Sequence, residues 1–145
     1  MRHASACSAL LLALAAPAWA LDFVSAQKPA ILYDAPSSAA KKIAVIGAGY
    51  PLERLVATSG WAKVRDDTGQ LAWIEDSALT SKRTLLVKAP TAVVLDNPRD
   101  DATARFRVAQ GVVLDILLDL GNGWVKVQHA DGQQGYMRVR DVWGL

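Results

Sequence analysis

The chain holds one cysteine in 145 residues, Cys7, and two histidines, His3 and His129. Beyond residue 20 no thiol remains, which excludes disulfides, thiolate metal sites and cysteine nucleophiles from that part of the chain. A surplus of one charge sign is also missing. Sixteen basic and 14 acidic side chains give a formal +2; without Arg2 the balance is 15 against 14. The signs are interspersed, so the clustered basic face that a nucleic-acid partner requires is absent. Only "SKRTLLVK" (81–88) is locally basic, and it reads as a solvated connector. Long apolar runs are lacking too. The longest, "ALLLALAAPA", falls short of the ~20 residues that cross a bilayer, and no membrane span is expected.

What is present begins with that run. Arg2 and His3 precede it and the small-residue triplet "AWA" follows it, the arrangement of a secretory signal peptide, residues 1–20, cut after Ala20. Cys7 lies ahead of the apolar run, where it is badly placed for a lipid anchor. Export across the inner membrane to the periplasm is the expected outcome. The remaining 125 residues (145 less 20) suit one ordinary domain or two very small ones.

An internal repeat favours two. Asp34, Pro36 and Gly49 recur as Asp96, Pro98 and Gly111 at an offset of 62. After one extra residue in "LGNGW" the offset is 63, and Trp61, Lys63, Val64, Gly69 and Trp73 fall on Trp124, Lys126, Val127, Gly132 and Tyr136. The units are placed at residues 27–80 and 85–145. "VVLDILLDL" alternates with period two, which sets Val112, Leu114, Ile116, Leu118 and Leu120 toward a core and Asp115 and Asp119 toward water. The matching "YPLERLVAT" puts Leu52 and Val56 inward. Turn-forming stretches such as "DAPSSAAKK", "DNPRDDATA", "DDTG" and "ADGQ" separate the strands, and no capped helical period occurs after residue 20. The expectation is all-β: two small barrels. "TLLVKAP" between them sends Leu85, Leu86 and Val87 into the second barrel's first strand or the contact between barrels.

Each unit carries a hairpin, "GWAKVRDDTGQLAW" and "GWVKVQHADGQQGY". A three-residue loop of residues 66–68, followed by left-handed Gly69, pairs Arg65 with Gly69, Lys63 with Leu71 and Trp61 with Trp73. The second copy pairs Trp124 with Tyr136. Parity assigns Ala62, Val64, Ala72 and Ile74, and likewise Val125, Val127, Gly135 and Met137, to the core. The aromatics share the opposite, polar face, where large apolar groups call for a reason. They either cover a barrel end or contact a ligand.

The order of "ILYDAP", "GWAKV", a turn, "AWIEDSAL" and later "GYMRVRDV" resembles the Src homology 3 fold in its secreted bacterial form, twice over. The resemblance implies five-stranded, partly open barrels with Val64, Ile74, Leu79, Val127, Met137 and Val142 in core positions. In the eukaryotic branch a proline-rich peptide lies on a set of aromatics; Tyr33 and Trp61 match that set, whereas Ala35, Glu75 and Ala78 depart from it. In the second copy only Trp124 remains, with Leu95, Arg138 and Asp141 at the other positions. Secreted bacterial members are similar to cell-wall targeting modules. The implied function is a non-catalytic binding module for peptidoglycan peptides or an envelope protein, with Tyr33, Trp61, Trp73, Trp124 and Tyr136 as candidate contacts. An adaptor docking an envelope protein with no wall ligand, or an accessory subunit of a peptidoglycan hydrolase, are the alternatives.

Catalytic chemistry finds little support. A wall hydrolase needs a Cys-His set, a metal cluster or two poised carboxylates. His129 is alone after residue 20 and falls in a turn; Asp66–Asp67 and Asp100–Asp101 are adjacent pairs in loops. "GAG" before Tyr50 has no strand-then-helix context for a phosphate cradle and reads as a turn. No metal or other cofactor is expected.

Overall fold

The computed structural model describes residues 20–145, so the signal-peptide expectation lies outside the described residues except for Ala20. Among the described residues fourteen strands form two sheets. The first contains β1 (Phe23–Ala26), β2 (Ala30–Tyr33), β3 (Lys42–Ile46), β4 (Pro51–Thr58), β5 (Trp61–Arg65), β6 (Leu71–Glu75) and, after a 3-10 turn at Asp76–Ala78, β7 (Leu79–Thr80). The second repeats this with β8 (Thr84–Val87), β9 (Thr91–Leu95), β10 (Ala104–Ala109), β11 (Val113–Asp119), β12 (Trp124–Gln128), β13 (Gln134–Arg138), a 3-10 turn at Val139–Asp141 and β14 (Val142–Trp143). The strand orders correspond one to one: β3-β2-β6-β5-β4-β1-β7 and β10-β9-β13-β12-β11-β8-β14. Five strands, β2 to β6, make the expected small sheet, and the short β1 and β7 extend it to seven. No α-helix occurs among the described residues.

The repeat is visible atom by atom. Asp34 accepts a hydrogen bond from the Lys41 amide (3.0 Å), and Asp96 does the same from Thr103 (3.1 Å), so one carboxylate closes each long first loop. Gly49 and Gly111 both sit at positive φ, 81° and 84°, where a side chain would be strained.

Each sheet wraps its own core. Leu52, Ala62, Val64, Ala72 and Ile74 fill the first; Leu85, Val87, Val94, Leu114, Val125, Val127 and Met137 fill the second. Leu79 and Val142 pack against these cores from partly buried positions. The alternation along the fourth strand of each copy holds only halfway. Leu114 is 1% exposed but Leu118 is 57% exposed, and in the first copy Val56, expected inward, is 49% exposed. The cause is a register shift between Ile116 and Leu118, matched by one between Arg54 and Val56. A bulge breaks the period-two count, and the strand beyond it runs past the core.

The two units are in contact. β1 and β8 are buried along their whole length because each is covered on both faces. Val24 and Ala26 enter the first core and Leu85 and Val87 the second, while Phe23 and Leu86, on the other parity, are buried outside both cores. Phe23 meets Trp143 edge to face at 5.1 Å, and the Thr84 hydroxyl donates to the Gly49 carbonyl at 2.6 Å. Three residues, 81–83, join β7 to β8.

Candidate functional site

The central hairpins are built as anticipated but with the loop one residue later. Asp66 pairs with Gln70 through its amide (3.0 Å), and Gly69, at φ 88°, is the third loop residue rather than the first strand residue. A glycine with positive φ closes a loop and does not belong in a ladder. The Asp66 carboxylate pins the turn by accepting from the amides of Thr68 and Gln70. In the second copy the His129 amide donates to the Gln133 carbonyl at 2.8 Å and Gly132 has φ 91°. The one-residue displacement moves every cross-strand pair by two. Trp61 therefore lies opposite Glu75, and Trp73 opposite Lys63; Trp124 lies opposite Arg138, and Tyr136 opposite Lys126. The anticipated Trp61–Trp73 and Trp124–Tyr136 pairs are diagonal neighbours instead. A shift of two keeps parity, so the face assignment stands.

On the first barrel three aromatics converge. Tyr33 is the cross-strand neighbour of Trp73 and stacks edge to face on Trp61, centroids 5.4 Å apart and planes at 85°. Such a contact contributes roughly 0.5–1.5 kcal/mol beyond area burial and fixes both rings. Tyr33 is buried, while Trp61 and Trp73 keep part of their surface in solvent. Beside them a groove of about 160 Å³ is lined by Tyr33, Glu75, Lys28, Pro29 and Ile31 among others.

The second barrel closes the same place. Leu95 replaces Tyr33 and neighbours Tyr136. Trp124, anticipated on the wet face, is only 5% exposed. Arg138, its partner across β12 and β13, lays its guanidinium over the indole at 4.1 Å and donates Nε–H to Asp100 at 3.0 Å. Asp100 is held below the usual carboxylate range, first by this hydrogen bond. The corresponding residues of the first copy are Glu75 and Ser38, which cannot form that lid. Lys126 stands over Tyr136 at 5.9 Å. Nothing in the residue pattern alone signals the closure, because it depends on a pairing register that the loop length leaves ambiguous.

The loop aspartates, His129 and Tyr50 have structural partners. Tyr50 donates its hydroxyl to Asp67, and burial, followed by that hydrogen bond and charge, raises its phenol well above the normal tyrosine range. Asp101 pairs with Arg99 at 3.1 Å. His129 rests against Phe106 and accepts from the Asp131 amide at 3.3 Å. Residues 47–49 form the turn into Tyr50, whose amide donates to the Gly47 carbonyl. Among the described residues no three His, Cys, Asp or Glu side chains come together as a metal site, and no helix is long and apolar enough to cross a membrane.

No curated protein matches. Among solved structures, NlpC2 from Trichomonas vaginalis is 16% identical with a TM-score of 0.38, the alignment covering 89% of this chain and 50% of that one. NlpC1 from Trichomonas vaginalis is 16% identical with a TM-score of 0.40, covering 96% and 51%. An NlpC/P60 family protein from Bacillus cereus ATCC 10987 is 17% identical with a TM-score of 0.39, covering 83% and 55%. The chain thus spans about half the length of these structures. The model of the bacterial SH3 domain matches twice, at residues 26–80 and 88–144, one match to each sheet, and the chain belongs to that family as two tandem domains.

Proposed function

We propose that the protein is a non-catalytic binding module of the bacterial envelope that engages peptidoglycan peptides through the aromatic face of its first barrel. The observation that carries this reading is the Tyr33–Trp61–Trp73 cluster, fixed by an edge-to-face contact yet left partly open beside a groove. Rigid aromatics at a solvent boundary supply contact area at little conformational cost, as peptide-recognising domains of this general architecture use them. The secretory features of residues 1–20 support a periplasmic location. Loop aspartates held in turns and ion pairs support a binding role over hydrolysis.

Cosedimentation with purified sacculi tests the proposal. The protein is expected in the pellet, and Trp61→Ala in the supernatant with an unchanged β-sheet circular dichroism spectrum. Wild-type protein remaining in the supernatant refutes wall binding; soluble fragments released from the sacculi refute the non-catalytic role.

A further inference from the structure

The two barrels present one site in two states, and the closed copy shows what the open copy lacks. In the second barrel a guanidinium stacks on the Trp124 ring at 4.1 Å and is held by the Asp100 carboxylate. In the first barrel the equivalent Trp61 keeps part of its surface free. The position from which Arg138 reaches its indole is occupied by Glu75, again directly opposite the tryptophan in the ladder. The cation is missing and a carboxylate has taken its place. Glu75 is exposed and makes no ion pair among the described residues, and it lines the groove that Tyr33 shares.

We propose that Trp61 and Glu75 form a site for a single ammonium or guanidinium group of a peptide ligand, the group that Arg138 supplies from within the chain in the second barrel. The indole face attracts the cation through its quadrupole, and the Glu75 carboxylate accepts its N–H groups in a charge-assisted hydrogen bond. Tyr33 buttresses the ring. Lys28 on the groove lining and Lys63 opposite Trp73 disfavour a second cation and favour acidic groups flanking the first. The ligand class is therefore a short peptide with one free basic group and neutral or acidic neighbours. The second barrel, with its own arginine in place, does not take this group. This deepens the wall-binding reading and rests on it for the source of the peptide, but not for the chemistry of the site.

Two measurements separate those claims. The first titrates n-butylguanidinium into the purified protein while following the indole N–H resonances by NMR. A saturable shift of the Trp61 signal is expected, reduced about two- to five-fold in affinity by Glu75→Gln, which removes an exposed carboxylate–cation pair, and absent with the neutral isostere butylurea. No saturable shift, or an equal response to butylurea, overturns the cation site. The second uses sacculi whose free amines have been capped by acetic anhydride. Wild-type binding is expected to fall to the Glu75→Gln level, and Glu75→Gln is expected to be indifferent to capping. Undiminished binding to capped sacculi overturns the cation's part in wall recognition and leaves wall binding intact. A saturable guanidinium response without sacculus binding supports the site and removes the wall as its source. The double variant Ser38→Asp/Glu75→Arg rebuilds the closed arrangement; loss of the guanidinium response with an unchanged melting temperature supports the proposal, and a retained response overturns it.

Discussion

Gly135 illustrates how one residue distinguishes two copies of a fold. Its equivalent in the first barrel is Ala72, buried in that core at the same ladder position. A methyl group on Gly135 would stand 2.5 Å from Val94 Cγ1 and 2.7 Å from the Leu95 carbonyl oxygen. The first contact could yield by a side-chain rotation; the second is backbone and can yield only by separating β9 from β13. Gly135→Ala is therefore expected to lower stability by about 1–3 kcal/mol, the usual range for overpacking, although alanine is the residue the repeat itself uses at this site. Thermal denaturation followed by circular dichroism checks the direction, and an unchanged or raised melting temperature contradicts it. Trp124 shows the same limit of a residue-level reading. Its parity is legible and places it on the polar face with Trp61, but its burial is set by Arg138 and Asp100, residues 14 positions downstream and 24 upstream with no local signature of contact.

Among the elements, the period-two pattern is a faithful guide wherever the ladder is regular. Ala62, Val64, Ala72 and Ile74 are all buried, as are Val125, Val127, Gly135 and Met137, and the faces are legible even with the loop one residue later than the turn residues suggest, because that displacement moves pairs by two rather than one. It fails at β4 and β11, where a bulge in each copy intervenes. "VVLDILLDL" looks like continuous core in one dimension because apolar residues continue after the bulge, yet Leu117 and Leu118 are exposed, as are Leu55 and Val56 at the matching positions. Core and overhang on one strand should separate in energy. Leu114→Ala removes a fully buried side chain and is expected to cost about 2–5 kcal/mol, whereas Leu118→Ala is expected to stay within about 0.5 kcal/mol of wild type. Urea denaturation of the two variants decides this. A cost at Leu118 close to that at Leu114 would place it in the core and contradict the bulged register.

For the whole molecule, the question is whether two barrels behave as one body. A sequence can reveal a short, partly apolar connector, and "TLLVK" is one, but not which faces it brings together. The structure answers through β1 and β8, each sandwiched between its own core and the neighbouring barrel. Phe23 on Trp143 and the Thr84 hydroxyl on the Gly49 carbonyl tie the units. Lys88 adds a longer contact to the Asp67 carbonyl, 3.4 Å. Space there is tight. Gly49 leaves room for Val113, 3.3 Å from where its Cβ would lie, and Gly144, at φ 120°, would carry a Cβ 3.3 Å from the Pro51 Cβ of the first barrel. A seam of this kind couples unfolding, because neither barrel can expose its sandwiched strand without exposing its neighbour's. Calorimetry of the intact protein is therefore expected to give one transition with equal calorimetric and van't Hoff enthalpies. Phe23 lies outside both cores, so Phe23→Ala weakens the seam selectively and should split that transition into two while circular dichroism at low temperature retains the β signal. Two transitions in the wild type would show that the barrels unfold independently. A single transition in Phe23→Ala, merely shifted down, would mean that the coupling rests on Thr84, Gly49 and Leu86 rather than on the aromatic contact.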